Sequence, residues 1–245
     1  MAKANTVLSV RGVSRRFGGL VAVDRMDFDV DEHQVMGLIG PNGSGKTTMM
    51  NLISGALPLT DGSIDLRGSK ISGLSAQAIN RRGVARTFQL VRLLPGLSVI
   101  ENVMAGAVFG HRRRWGRAAE DYARQMLDRV GLDDAANEPI ASLTYIDQKR
   151  LELARVLAGE PEILLLDEWL AGLNLTELET GIQLIKDLRA EGRTVILVEH
   201  VMDAIRSLCD VCIVMNSGKK IAEGTPAEVL ADDEVIRAYL GDDDA

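Results

Sequence analysis

Gly40-Pro41-Asn42-Gly43-Ser44-Gly45-Lys46-Thr47-Thr48 fits the pattern G-x-x-x-x-G-K-[ST], and it lies between an apolar run, Val35–Gly40, and a helix-patterned segment, Lys46–Gly55, closed by a glycine. The pattern demands a strand, a tight loop and a helix in that order. Glycines let backbone N–H groups close around phosphate oxygens, and the helix N-terminus adds its positive dipole end. Lys46 would reach the β- and γ-phosphates, Thr47 would offer a hydroxyl to Mg²⁺, and Thr48 would support an α-phosphate contact. The loop alone leaves open ATP or GTP, and a kinase, a GTPase or a motor.

The rest of the chain is read around this unit. Val7–Arg11 and Met26–Val30 are short β-rich runs. Ile163–Asp167 and Thr194–Glu199 are near-continuous apolar runs of the kind parallel strands show when both faces are covered, with a helical pattern over Leu175–Glu191 between them. The segment 96–157 is rich in Ala, Arg, Leu and Glu at helical spacing and reads as a helical subdomain inserted into a sheet domain. The expected division of a single domain over 1–245 is therefore an α/β core at 1–95 and 158–225, the insert at 96–157, and short helices with an acidic tail at 226–245.

Ile163-Leu164-Leu165-Leu166-Asp167-Glu168 ends an apolar strand in two carboxylates, at the sheet edge where α/β ligands bind. Asp167 would hold Mg²⁺ through water, and Glu168 would polarise the attacking water. Composition narrows the partners. With 245 residues, 46% of them hydrophobic, the chain can bury a sizeable core, while a formal charge of −7 argues against a surface built to neutralise nucleic-acid backbones. No apolar run reaches the roughly 18 to 20 residues that a membrane span needs, and no secretory h-region is present, so a cytoplasmic protein is expected. The two cysteines, Cys209 and Cys212, supply half of a structural zinc set and read as buried, inert thiols. The basic cluster His111–Arg117 reads as a solvated loop before a helix.

With these motifs in this order, the chain resembles the ABC ATPase family over nearly its whole length. The resemblance implies a P-loop NTPase sheet core with an antiparallel β region and an inserted helical subdomain, with ATP and Mg²⁺ as cofactors. Gln89, in Arg86-Thr87-Phe88-Gln89, is similar to the glutamine that ligates Mg²⁺ and links the site to the membrane subunits. Ala171-Gly172-Leu173-Asn174 resembles the loop that crosses the dimer interface, His200 the histidine that contacts the γ-phosphate, and Phe17 the aromatic on which adenine stacks. The phrases Phe17-Gly18-Gly19-Leu20 and Ile221-Ala222-Glu223-Gly224-Thr225-Pro226 resemble the branched-chain amino-acid uptake group, in particular the larger of its two ATPase subunits. The implied partners are a second ATPase subunit, two transmembrane permease subunits and, indirectly, a solute-binding protein, with the chain peripheral on the cytoplasmic face of the membrane.

The chain departs from the family at its signature, which reads Leu143-Thr144-Tyr145-Ile146-Asp147 where L-S-G-G-Q or L-S-Y-G-Q is usual. Ile146 replaces the glycine that lets backbone approach phosphate, and Asp147 adds negative charge. Two unit charges about 4 Å apart repel by roughly 1 kcal/mol in water and about 4 kcal/mol at an effective dielectric of 20. The expectation is a heterodimer in which a partner with an intact signature completes this chain's own site. Trp169 stands where proline usually follows the catalytic glutamate, with packing as its only evident role, and Leu175 where proline usually follows the interface loop. Two other readings accompany the importer: a low-turnover regulatory subunit, suggested by the altered signature, and a soluble ABC ATPase of translation or repair.

Overall fold

The computed structural model describes residues 5–240. The acidic tail expected at 242–244 lies outside them. The chain forms two compact units, one from 5–76 with 170–240 and one from 77–169.

The first unit opens with a long hairpin, β1 (Thr6–Phe17) and β2 (Leu20–Asp31), turned at Gly18. Buried and exposed residues alternate over much of β2, as expected of a sheet with one covered face. β3 (Val35–Ile39) follows, all five residues buried, and feeds the loop that opens α1 (Lys46–Ile53). β4 (Asp61–Leu66) pairs antiparallel with β1, and β5 (Ser69–Lys70) with β4, so the antiparallel sheet runs β2-β1-β4-β5.

The chain then passes through α2 (Ala76–Asn80) into the second unit. There β6 (Val84–Arg86), α3 (Val99–Phe109), α4 (Arg117–Arg129), α5 (Tyr145–Ala158) and β7 (Ile163–Asp167) follow in order. β6 and β7 pair in parallel, Val84 against Ile163 through Arg86 against Leu165. Ser98 caps α3 in a reciprocal box with Glu101, which satisfies two otherwise orphaned N–H groups. Asn102, fully buried, pins the loop ahead of that helix through Leu94, Leu97 and Ser98.

Back in the first unit come α6 (Leu175–Ala190), β8 (Thr194–Val198), α7 (Met202–Leu208), β9 (Val211–Asn216), β10 (Lys219–Gly224), α8 (Pro226–Leu230) and α9 (Asp233–Leu240). β3 pairs in parallel with β8 as far as Gly37 and with β9 as far as Ile39, so β9 holds its last residue, where the phosphate loop begins. β9 and β10 form a hairpin whose two loop residues, Ser217 and Gly218, both have positive φ, the geometry that matches strand twist.

Candidate functional site

In the first unit, neighbouring main chain dictates the glycines of the phosphate loop. Gly40 (φ +144) and Gly45 (φ +106) occupy conformations that L side chains rarely adopt, and a Cβ there would lie 2.0 Å from the Met215 carbonyl oxygen and 2.5 Å from that of Ala22. The loop is closed by Ser44 N–H donating to Pro41 O at 3.2 Å and backed by Gly218 N–H donating to Ser44 O at 2.9 Å. Lys46 is buried, and its ammonium donates to the carbonyls of Gly40 (2.8 Å) and Pro41 (2.9 Å). Its side chain therefore braces the loop it serves, a structural role that its sequence position did not suggest.

Two features of this loop fit an anion. The α1 N-cap is Gly45, so no side-chain acceptor caps the first turn, and the buried Ser44 hydroxyl has no hydrogen-bond partner among the described residues. Asn42, Gly43 and Thr47 are exposed and Thr48 is half-buried. Phe17, at the end of β1, is 42% exposed, with the Arg15 guanidinium 4.5 Å from its ring centroid. His200 is exposed just beyond β8. The residue before it, Glu199, is buried and accepts from Leu170 N–H at 2.6 Å, anchoring the stretch Ala171–Asn174, whose Asn174 caps α6.

In the second unit, β7 delivers the two carboxylates. Asp167 ends the strand with its side chain 1% exposed and its Oδ2 2.6 Å from Arg86 Nη2, the guanidinium itself only 4% exposed. Thr87, next to Arg86, accepts from Asp167 N–H at 3.4 Å and donates its own N–H to Leu165 O at 3.0 Å. Asp167 Oδ1 is buried with no hydrogen-bond partner among the described residues. Glu168 follows with φ +50, and its Oε2 accepts from Gln89 Nε2 at 2.7 Å. The structure thus brings Gln89, Asp167 and Glu168 to one end of the β6–β7 pair.

An unpartnered carboxylate oxygen, a second carboxylate and a side-chain amide are hard oxygen donors of the kind that Mg²⁺ takes. Among the described residues no group of three or more His, Cys, Asp or Glu could hold a metal by itself. The donor set fits Mg²⁺ nonetheless, because that ion is commonly bound by one or two carboxylates plus substrate phosphates.

Several residues that serve this end had no assigned role in the sequence reading. Arg86 carried one available signal, a charge at the end of a wholly buried strand, which requires a partner. Lys149, 5% exposed, donates to the carbonyls of Glu168 and Trp169, and Glu152, 1% exposed, accepts from Phe88 and Arg92 N–H; nothing local marks either as buried. Burial pushes the Glu152 carboxyl up.

The signature residues head α5. Leu143 precedes the helix, Thr144 is its N-cap, accepting from Asp147 N–H at 3.2 Å, and Tyr145, 55% exposed, and Ile146 begin it. The Asp147 carboxylate accepts the Thr144 hydroxyl proton at 2.7 Å and pairs with Arg150 at 3.3 Å. Of the basic cluster, Arg114 is tied down by Glu160 and stacks on Tyr122, while His111 bonds to Arg81 O. Cys209 and Cys212 are buried under Gly37, and the hydrogen bond to Cys212, with burial, holds the Cys209 thiol up.

A family model described as ABC transporter matches residues 23–171. The chain belongs to the ABC transporter family. A second model, described as branched-chain amino acid ATP-binding cassette transporter, matches residues 219–245. The chain is 42% identical to the high-affinity branched-chain amino acid transport ATP-binding protein BraF of Pseudomonas aeruginosa, over 96% of this chain and 98% of the relative. It is equally 42% identical to LivG of Escherichia coli K12, which carries the same description, with the same coverage. Among solved structures, a nucleotide-free ATP-binding cassette from an ABC transporter superposes with TM-score 0.86 at 26% identity, covering 97% of this chain and all of that one. An ATP-binding cassette in its ADP conformation gives TM-score 0.85 at 26% identity. The fold is that of an ABC ATPase, and the chain is a nucleotide-binding, ATP-hydrolysing member of the family. No helix among the described residues is long and apolar enough to cross a membrane.

Proposed function

We propose that this ABC transporter chain is the ATP-hydrolysing subunit of an importer of branched-chain amino acids or related small polar solutes. The observation that carries the catalytic part is the Gln89–Glu168–Asp167 grouping, with a carboxylate held at 2.7 Å by an amide beside a buried carboxylate oxygen that lacks a partner among the described residues. Gly40, Pro41, Asn42, Gly43, Ser44, Gly45, Lys46, Thr47 and Thr48 hold the phosphates, and Phe17 takes the adenine face. Thr47, Asp167 and Gln89 hold Mg²⁺, which when bound supplies neutralisation of the charge that develops on the phosphates. Glu168 accepts a proton from water as the water oxygen bonds to the γ-phosphorus. The bond from that phosphorus to the bridging oxygen breaks, and ADP leaves with that oxygen. His200 orients the γ-phosphate.

The partners follow from the family and from one surface. A groove of about 290 Å³ is lined by Ala85, Arg86, Leu94, Phe109, Arg155 and Val156, and the Phe109 ring meets that of exposed Trp115 edge to face at 6.5 Å. We assign this groove to a permease subunit, which would hold the chain peripherally at the cytoplasmic face. A solute-binding protein delivers cargo to the permeases. Ile146 supports a heterodimer with a second ATPase subunit whose signature is intact. Nucleic acid has no place in this reading, given the net charge of −7.

The test is ATP turnover of the assembled transporter carrying Glu168→Gln, which keeps the shape and removes the base. A loss of about 10²- to 10⁴-fold is expected. Unchanged turnover defeats the catalytic assignment.

A further inference from the structure

Glu168 holds φ +50 without being glycine, a backbone that a β-carbon disfavours and that persists only where the surroundings over-determine it. Contacts hold the main chain that follows it. Lys149, on α5, is 5% exposed, and its ammonium donates to the carbonyl of Glu168 at 3.3 Å and to that of Trp169 at 3.1 Å. Trp169, also 5% exposed, returns the contact, its indole N–H donating to the Lys149 carbonyl at 3.3 Å. The same ammonium lies 5.6 Å from the ring centroid of Tyr145, one helical turn earlier, in the altered signature.

We propose that Lys149 and Trp169 form a reciprocal clamp that sets the backbone at Glu168 and ties that residue to the signature helix, making both of them positioning residues for hydrolysis. The proposal rests on the reading of Glu168 as the general base. Burying an ammonium costs far more than burying a hydrocarbon of the same size, so packing alone does not call for a lysine here. It donates to the carbonyl of the peptide that leaves Glu168 and to that of the next peptide. Gln89 fixes the carboxylate tip at 2.7 Å and the clamp fixes its root. Two anchors at opposite ends of one side chain define where its oxygens stand, and misplacement of a base by a fraction of a bond length lowers turnover without touching nucleotide affinity. The clamp also accounts for tryptophan at 169: proline offers neither an indole N–H nor the reach to the Lys149 carbonyl.

The experiment measures kcat and KM for ATP, together with Tm, for the transporter assembled with its membrane subunits and carrying Lys149→Met, Lys149→Arg, Trp169→Phe or Glu168→Gln in this chain. Lys149→Met is expected to lower kcat about 10- to 100-fold, the loss of one or two charge-assisted hydrogen bonds, with KM within about twofold of wild type. Lys149→Arg, which keeps a donor cation, recovers part of the loss, and Trp169→Phe, which keeps the ring and loses the N–H, lowers kcat by about 5-fold. Wild-type kcat in Trp169→Phe and Lys149→Met, or a kcat that falls only as Tm falls with no rescue by arginine, overturns the clamp. Should Lys149→Met not fold, Trp169→Phe and Lys149→Arg decide alone, and wild-type kcat in both overturns it. Glu168→Gln separates the two levels. An inactive Glu168→Gln beside fully active clamp variants removes the clamp and keeps the base, whereas an active Glu168→Gln removes the base.

Discussion

Arg86→Met isolates what the buried ion pair contributes. The Arg86 and Asp167 side chains are 4% and 1% exposed and meet at 2.6 Å, so the substitution keeps the aliphatic stem but strands a carboxylate whose other oxygen already lacks a partner among the described residues. Removing one member of a buried pair costs about 3–5 kcal/mol, most of it the desolvation of the charge left behind. At about 2–4 °C per kcal/mol for a chain of this size, Tm falls by about 6–20 °C. Asp167→Asn removes the charge and keeps the shape, so Arg86→Met with Asp167→Asn costs less than the two single changes added together, by about 1–3 kcal/mol. Urea unfolding followed through Trp169 fluorescence reads the same unit, because Trp169 is 5% exposed there. A Tm for Arg86→Met within about 2 °C of wild type, or single costs that add within about 0.5 kcal/mol, would refute the argument.

Three further outcomes are expected. Lys46→Ala weakens ATP binding in a nucleotide titration and also lowers nucleotide-free stability by about 1.5–3 kcal/mol, because the ammonium holds the Gly40 and Pro41 carbonyls; an unchanged nucleotide-free Tm would contradict the bracing role. Gly37→Ala places a Cβ 3.0 Å from the sulfurs of both Cys209 and Cys212 and destabilises by about 1–3 kcal/mol in urea unfolding, with Cys212→Ala relieving part of the loss; no relief would place the strain elsewhere. The hydrogen bond from Arg114 holds the Glu160 carboxyl below its ordinary value of 4.5, so its stabilisation is present above that pH and is lost as pH falls through the lowered folded value. The Tm gap between wild type and Arg114→Met should therefore close below pH 4.5, and a gap independent of pH counts against the pair.

What the sequence disclosed followed from how local each feature is. Ile163–Asp167 and Thr194–Glu199 read as strands because burial on both faces makes them continuously apolar, and β7 and β8 are buried at every position. Of β1 and β2 the sequence pattern marks only Val7–Arg11 and Met26–Val30. Register shifts between Val10 and Val13 and again near Arg15 break the alternation on which the reading depends. The phosphate loop was legible because its chemistry sits in nine consecutive residues. The Arg86–Asp167 pair, separated by 81 positions, and the Lys149–Trp169 exchange, separated by 20, were not, since only the fold brings them together. Trp169 shows the difference most directly. In sequence it is an unexplained substitution; in the structure its indole has a partner.

The altered signature changes meaning once Asp147 has neighbours. Read from sequence, its charge stands opposite a partner's phosphate and repels it by roughly 1–4 kcal/mol. In the structure the carboxylate pairs with Arg150 at 3.3 Å, so a distant anion meets a dipole rather than a bare charge, and the repulsion falls well below that bound. A different cost replaces it. The Thr144 hydroxyl gives its one proton to Asp147 at 2.7 Å while accepting from Asp147 N–H, so it has no proton to offer a phosphate until that bond breaks. Asp147→Ala keeps the backbone cap and frees the hydroxyl, whereas Ile146→Gly clears the approach at about 1 kcal/mol of helix propensity. Turnover of the assembled ATPase should therefore rise with Asp147→Ala and rise further with Ile146→Gly added. If Ile146→Gly alone gives the whole gain, the hydroxyl is not limiting, and the side chain at 146 is the sole obstacle to a competent second site.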